Sequence, residues 1–252
     1  RLPANPPPTR VTFSVICYKF NPCWVVKTCQ KSQLCFAMHF FTVPSTIQWL
    51  IPSCTWRKEG QGKVIYLTFD DGPNPEITAW VMDELKKHQI KATFFCVGDN
   101  LRKFPEIAKR LLTEGHQIGN HTMHHIKGWK YNNDDYLEDV ENCEKEIRKI
   151  QEQFENKTAQ PRLFRPPYGQ IKPSQIKLLR ERGYEIIQWS DLSCDYDKHL
   201  NYEKSLSALV KNAKPGSIVV FHDSEKAEHQ LKQILPSYLE AMLAEGFTFE
   251  TL

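Results

Sequence analysis

The first 58 residues contain no aspartate or glutamate, although they carry seven lysines or arginines. Of the 33 basic and 30 acidic residues in the whole chain, 26 basic and 30 acidic ones therefore follow position 58, where the net charge is −4. That larger part also lacks an arginine-rich helix and any interleaving of basic and aromatic residues. Because nucleic-acid binding needs a basic surface, we expect no nucleic acid among the partners.

Long apolar runs are missing as well, since no unbroken stretch reaches the roughly eighteen residues that cross a bilayer. We therefore expect no transmembrane segment. The N-terminus does not show the basic start, apolar middle and small-residue cleavage site of a secretory leader, so the given chain carries no recognisable export signal. A glycine-rich dinucleotide-binding loop is also absent, which argues against an open nucleotide-binding sheet.

Closely paired cysteines are absent too, although the chain has eight cysteines. Four of them recur every six residues near the N-terminus: Cys17, Cys23, Cys29 and Cys35. Zinc fingers and ribbons place two ligands about two to four residues apart, so we interpret the six-residue spacing as coincidence. The other four cysteines are scattered and indicate no disulfide framework.

The N-terminal region has no periodicity that predicts a fold. Residues 1–37 begin rich in proline, and residues 39–52 read as a short apolar lead-in. We expect the functional protein to start at Met38. The predicted organisation is an N-terminal extension over residues 1–62, followed by one folded domain over residues 63–252.

From Lys63 onwards, strand-like and helix-like segments alternate. The strand-like segments are 64–69, 92–97, 116–120, 163–165, 185–189, 217–221 and 247–251. The helix-like segments are 75–88, 105–114, 134–154, 173–182, 202–213 and 230–244. This alternation predicts an α/β fold with a parallel sheet, and the missing nucleotide loop favours a (β/α) barrel.

Polar side chains collect where the predicted strands end. The clusters are Asp70 with Asp71, His121 with His125, Arg165 with Tyr168, Asp195, and His222 with Asp223. Because parallel strands of a barrel end on one face, where such barrels assemble active sites, these clusters become one plausible constellation.

Two of the clusters together indicate a metal site. His121 and His125 are four residues apart, a spacing that one helical turn would bring onto the same side. Joined to an aspartate, they form a set of two histidines and one carboxylate with open positions for water and substrate. Of the adjacent acids Asp70 and Asp71, one can bind the metal while the other serves as a base.

The sequence resembles carbohydrate esterase family 4, the polysaccharide deacetylases that include chitin and peptidoglycan N-acetylglucosamine deacetylases. The resemblance runs from about Lys63 to Leu252, which it identifies as a single catalytic domain. Five motifs occur in the family's order: Thr68-Phe69-Asp70-Asp71-Gly72, His121-Thr122-Met123-His124-His125, Arg165-Pro166-Pro167-Tyr168, the region Trp189 to Tyr196, and Phe221-His222.

The resemblance implies a distorted (β/α) barrel and a role for each matching residue. The metal ligands would be Asp71, His121 and His125. Asp70 would be the general base, held in place by Arg165, and His222 the general acid, oriented by Asp195. Tyr168 would offer its backbone N–H to the oxyanion, and Trp189 would help to form the wall of the acetyl pocket.

The fourth motif departs from the family pattern. It has Leu192 where an acid is usual and Tyr196 where tryptophan is usual. We expect catalysis to survive this change, whereas the substrate preference that depends on Leu192 is open.

The resemblance implies removal of N-acetyl groups from N-acetylglucosamine-type sugars in a polysaccharide, with release of acetate. Two alternatives stay open: an O-acetyl esterase of the xylan type or another amide hydrolase on the same site, and a carbohydrate-binding domain without turnover. Zn²⁺ suits two histidines and one aspartate, and Co²⁺, Ni²⁺ and Mn²⁺ accept the same donors. The substrate class indicates the cell envelope or the extracellular space, but without a visible signal the cytoplasm stays open. The oligomeric state is not indicated.

Overall fold

The computed structural model describes residues 41–59, 62–153 and 161–252. The four regularly spaced cysteines, the expected start at Met38 and the proline-rich segment lie outside these ranges. Residues 41–252 fall within one compact unit of the chain.

A parallel sheet forms the centre of the described structure. Its strands are β1 (Val64–Asp70), β2 (Thr93–Cys96), β3 (Gln117–Asn120), β4 (Arg162–Phe164), β5 (Tyr184–Ile186), β6 (Asp191–Leu192), β7 (Ser217–His222) and β8 (Thr248–Glu250). The spatial order is β5-β4-β3-β2-β1-β7-β6, with β8 also paired to β1. Every pairing between these strands is parallel, which confirms the expected α/β fold with a parallel sheet.

Helices connect the strands, as parallel pairing requires. Within the described residues they are α1 (Ser45–Leu50), α2 (Ile77–Lys87), α3 (Gly98–Lys103), α4 (Pro105–Thr113), α5 (Asn133–Gln151), α6 (Pro173–Glu181), α7 (Tyr202–Asn212) and α8 (Glu228–Ala244). The sequence pattern did not predict α1, α3 or β6, because these elements are six, six and two residues long, too short to show a period.

Strand β1 explains how the sheet positions polar groups. All seven of its side chains are buried, because the strand is in the middle of the sheet. Successive side chains of a strand point to opposite faces, so Thr68 and Asp70 share one face while Leu67 and Phe69 share the other. Phe69 packs against the ring of Phe94 with a centroid distance of 4.9 Å. The apolar face therefore anchors the strand, and its other face carries Asp70.

Residues 41–59 pack on the sheet beside β5, β6 and β7. Thr42 bridges to Asp191, Thr55 to Ile187 and Arg57 to Ser217. The Thr55 N–H donates to the Ile186 carbonyl at 2.8 Å, and the Leu192 N–H donates to the Phe41 carbonyl at 2.8 Å. The expected domain boundary at residue 63 stays a prediction, and these bonds are the contacts that a chain beginning there would lack.

Among the described residues, no helix combines the length and the apolar character needed to cross a bilayer.

Candidate active site

The polar clusters singled out from the sequence meet at the carboxyl ends of the strands. Asp70 ends β1 and His222 ends β7, and the two residues are in register across the sheet. His121 follows β3, and its N–H donates to the Cys96 carbonyl at the end of β2. Arg165 follows β4, and its N–H donates to the Asn120 carbonyl at the end of β3. The carboxyl-terminal end of the sheet thus gathers these groups, as expected for a barrel.

Asp71, His121 and His125 form a cluster that could hold a metal ion. One ligand atom from each lies within 4.8 Å of the others. The Asp71 Oδ1 atom is 3.1 Å from His125 Nε2 and 3.7 Å from His121 Nε2. Two ligands bound at 2.0–2.1 Å in a tetrahedral site are about 3.3 Å apart, so the three side chains fit a single divalent cation.

The histidine loop is not helical, contrary to the expectation of a helical turn. No helix covers residues 121–125, and Thr122 and His125 have positive φ values of 65° and 55°. The Thr122 hydroxyl accepts a hydrogen bond from the Ile126 N–H at 3.2 Å. A tight loop with two left-handed residues, rather than the helical period, therefore brings the two imidazoles together, with ring centroids 5.1 Å apart.

Hydrogen bonding and burial prepare His121 as a ligand. Its Nδ1 atom is 2.8 Å from the Arg165 carbonyl oxygen, which accepts its proton and leaves Nε2 unprotonated towards Asp71. Burial lowers the pKa of His121 to about 4, so the imidazole is neutral near pH 7, as metal ligation requires. Burial opposes ionisation of Asp71, but the hydrogen bond with His125 and the neighbouring histidines hold the pKa of its carboxyl below the usual value.

Asp70 is held by a fully buried guanidinium. Arg165 Nη1 donates to Asp70 Oδ1 at 2.7 Å and to the Thr68 hydroxyl at 2.8 Å, while Nη2 donates to the Gln188 carbonyl at 3.2 Å. The Arg165 side chain is 0% exposed and Asp70 is 6% exposed. A buried charge of each sign needs the other, so this ion pair holds the Asp70 carboxylate in one orientation.

His222 is paired with Asp195. Its Nδ1 atom is 2.7 Å from Asp195 Oδ1, and its backbone N–H donates to Asp195 Oδ2 at 2.9 Å. Burial works against protonation of His222, but the Asp195 carboxylate outweighs it and raises the pKa of His222 to about 9. The imidazole is therefore protonated near neutral pH, with Nε2 left to face a substrate.

The third and fourth motifs lie beside this centre. Tyr168 is 36% exposed, has a φ of 60° and packs against the His125 ring at a tilt of 47°, with a centroid distance of 4.7 Å. Trp189 is buried, and a Cβ added to Gly169 would lie 2.9 Å from its ring. Leu192 is buried in β6, and its expected substrate contact stays a prediction.

Asp223 is a site residue whose structural role the sequence did not reveal. Its carboxylate accepts hydrogen bonds from the Gly72 N–H at 3.0 Å and from the Thr78 hydroxyl, and its own N–H donates to the Asp70 carbonyl at 3.1 Å. Burial and the nearby Asp71 raise its pKa to about 7. Asp223 therefore fixes the turn that carries both aspartates. The adjacency of His222 and Asp223 was the only sequence signal.

We expect Gly72→Ala to disrupt this turn. A Cβ at position 72 would lie 2.1 Å from Asp223 Oδ2, so the carboxylate or the turn must move. Such overpacking costs roughly 1–3 kcal/mol, and we expect a lower melting temperature and a lower rate. The double variant Gly72→Ala/Asp223→Ala removes the clashing carboxylate, so part of the lost stability should return. An unchanged melting temperature in Gly72→Ala would refute this account.

Asp139 on α5 is a second residue that the sequence did not indicate. Its Oδ1 atom accepts hydrogen bonds from the N–H groups of Met123 at 2.8 Å and His124 at 3.2 Å. Its other oxygen pairs with the His124 imidazole, which explains why His124 is not a third histidine of the metal cluster. Asp139 holds the histidine loop from a helix, a contact that no spacing in the sequence predicts.

Comparison with known proteins places this arrangement in a family. The sequence profile described as polysaccharide deacetylase matches residues 57–187. A peptidoglycan-N-acetylglucosamine deacetylase of Bacillus cereus is 36% identical over 199 residues, which are 79% of this chain and 90% of that protein. A peptidoglycan deacetylase of Listeria monocytogenes, named PgdA, is 33% identical, but the match covers only 39% of its length.

Solved structures agree with the sequence matches. A crystal structure of the Bc1960 peptidoglycan N-acetylglucosamine deacetylase superposes with a TM-score of 0.69 and 32% identity, over 81% of this chain and 94% of that one. A family 4 pseudoenzyme from Bacillus anthracis has a TM-score of 0.68 at 21% identity, over 78% of this chain and 66% of its own, which shows the shared fold alone. On the profile, the identities and the fold, this chain belongs to the polysaccharide deacetylase family.

Proposed function

We propose that this chain is a hydrolase that removes N-acetyl groups from N-acetylglucosamine units of a polysaccharide and releases acetate. One observation carries the proposal. The candidate metal cluster of Asp71, His121 and His125 lies at the same end of the sheet as a carboxylate held by Arg165 and an imidazole held by Asp195. The names of the Bacillus cereus and Listeria monocytogenes relatives support the same activity.

The resident cofactor in this proposal is one divalent cation on Asp71, His121 and His125. When bound, the ion would lower the pKa of a water molecule and polarise the acetyl carbonyl. Zn²⁺ is the ion that two imidazoles and one carboxylate suit best, while Co²⁺, Ni²⁺ and Mn²⁺ accept the same donors.

The protein's own groups act at both ends of the amide bond. Asp70, held by Arg165, accepts a proton from the attacking water as the water oxygen bonds to the acetyl carbon. The N–H of Tyr168 donates to the developing oxyanion, a type of contact worth about 10²–10³ in rate. His222 then gives its proton to the departing nitrogen as the carbon–nitrogen bond breaks, which produces a free amine and acetate.

The proposal is tested by acetate release from N-acetylglucosamine oligomers and from acetylated xylan. We expect release from the oligomers to stop after chelation and to return when Zn²⁺ or Co²⁺ is added. Release from xylan alone would replace the proposal with an O-acetyl esterase. No release from either substrate by protein with stoichiometric bound metal would contradict the proposal and favour another amide substrate or a binding role.

The pairing of His222 with Asp195 predicts the alkaline limit of the rate. A general acid must be protonated, and Asp195 raises the pKa of His222 to about 9, so kcat should fall as the pH rises through about 9. In Asp195→Asn the attraction is lost while burial still disfavours the charge, so the pKa should drop towards or below the ordinary value of about 6.5. The pH profile of kcat measures this shift. An alkaline limb at the same pH in both proteins would show that another group is the acid.

A further inference from the structure

Two lysines flank the site in matching arrangements. On one flank, Tyr168 packs against the His125 ring at a tilt of 47°, and the Lys127 ammonium lies 4.2 Å from the centre of the Tyr168 ring. On the other, Tyr196 meets His222 edge-on with centroids 5.0 Å apart, and the Lys226 ammonium lies 5.2 Å from the centre of the Tyr196 ring. On each flank, a tyrosine ring thus contacts the imidazole, and a lysine ammonium lies over that tyrosine ring.

The sheet places these flanks on opposite sides of the two aspartates. Lys127 follows β3 and Lys226 follows β7, while Asp70 ends β1 between them. The ends of β3 and β7 are three strand spacings apart, roughly 14 Å along the sheet. Because the two lysines belong to loops on opposite flanks, an extended ligand that crosses the site would pass both of them.

The charge on each flank is not neutralised by the protein. Although Glu225 precedes Lys226 in the chain, no carboxylate in the described part of the chain lies within 4.0 Å of either ammonium group. Lys226 is exposed, and Lys127 is partly exposed. Contact with the tyrosine rings orients both lysines without cancelling their charge, because a cation over a ring keeps its charge.

We propose that Lys127 and Lys226 form two carboxylate-binding subsites, one on each side of the reacting sugar, and that the substrate is an anionic glycan. A neutral glycan such as chitin offers these ammonium groups no counter-charge. A glycan whose sugars carry free carboxylates, such as a peptidoglycan strand whose lactyl groups are not amide-linked to peptides, offers one on each side. This inference rests on the proposed deacetylase function and narrows its substrate class.

The test compares two forms of one polymer that differ only in charge. Peptide-free peptidoglycan strands with free lactyl carboxylates are assayed beside the same strands after conversion of those carboxylates to primary amides. For the wild type we expect a higher kcat/KM on the charged form, and the preference should fade in 0.5 M salt, because screening shortens the reach of charges. The effect should lie mainly in KM, since the lysines do not touch the reacting bond.

The lysines are then replaced one at a time. Lys127→Gln and Lys226→Gln should each reduce the preference for the charged form about fivefold, and the double variant about 25-fold. Lys→Arg at either position should retain it, because the charge stays. Lys130→Gln, which changes an exposed lysine of the same surface loop, is the matched control and should not alter the preference. The proposed subsites would be contradicted if the double variant kept the wild-type preference for the charged form. An equal loss of that preference in Lys130→Gln would contradict them as well.

Binding separates this inference from the proposed function. Dissociation constants of both strand forms are measured with the wild type and with the double lysine variant, which needs no turnover. If no acetate is released but the charged form binds more tightly through the lysines, the deacetylase proposal fails and the subsites stand. If acetate is released equally from both forms, and both bind equally, the subsites fail and the deacetylase stands.

Discussion

Replacing Asp70 with asparagine is expected to lower kcat for acetate release by a factor of about 10²–10⁴, the usual contribution of a general base. Asparagine keeps the shape of the side chain and an oxygen that can accept the 2.7 Å hydrogen bond from Arg165, but it cannot take a proton from water. Metal content should be unchanged, because Asp70 is outside the cluster of Asp71, His121 and His125. Steady-state kinetics and metal analysis of the purified variant check both expectations.

A loss of stability must be separated from the loss of the base. Asp70→Asn leaves the buried Arg165 charge without its anion, and breaking a buried pair costs at most about 3–5 kcal/mol. Thr68→Val is the matched control, because it removes another acceptor of Arg165 Nη1 and leaves the Asp70 side chain unchanged. We expect Thr68→Val to lower the melting temperature while its kcat stays far above that of Asp70→Asn. An Asp70→Asn protein that binds metal and keeps kcat within tenfold of the wild type would show that another group is the base.

Replacing the neighbouring Asp71 with asparagine is expected to have a different effect, namely loss of the metal. The variant removes the charged ligand that lies 3.1 Å from His125 Nε2 and 3.7 Å from His121 Nε2. Changes to groups that only orient a ligand already weaken metal binding by about 10–100-fold, so we expect loss of a ligand to weaken it by more than about 100-fold. Activity at trace metal should fall to background. Competition with a metal-binding dye measures the affinity.

Excess metal distinguishes the two adjacent aspartates. Raising the Zn²⁺ concentration should restore part of the activity of Asp71→Asn by mass action, whereas Asp70→Asn should not respond, since its site is already filled. The same rate in both variants at every metal concentration would contradict the separate roles of base and ligand. Wild-type affinity in Asp71→Asn would show that the ion is bound elsewhere.

The order of the elements and the types of side chain at the strand ends were predictable from the sequence. The run from Val64 to Phe69 is apolar and short, Asp70 and Asp71 follow it directly, and the same pattern recurs before His222. In a parallel sheet such positions must share one face, so local pattern and chain topology were enough to assemble the candidate residues. The alternation of strands and helices favoured the barrel, and the resemblance of five motifs predicted the family and its distorted barrel; the family and the fold are confirmed.

Other contacts that hold these residues were decided by the tertiary structure alone. Asp223 reaches Gly72 across 151 positions and leaves no trace in the local sequence pattern. Arg165 reaches Asp70 across 95 positions, and the family resemblance, not the local pattern, implied that pair. The histidine loop was expected to be helical because a spacing of four is helical, yet Asp139 on α5 and two positive φ values give it another conformation. The contacts of Lys127 with Tyr168 and of Lys226 with Tyr196 were likewise not predicted by spacing in the sequence. Sequence periodicity indicates which residues face the sheet and where the strands end. Loop conformation, charge pairing and the rim of the site depend on distant segments, because these segments meet only when the sheet forms.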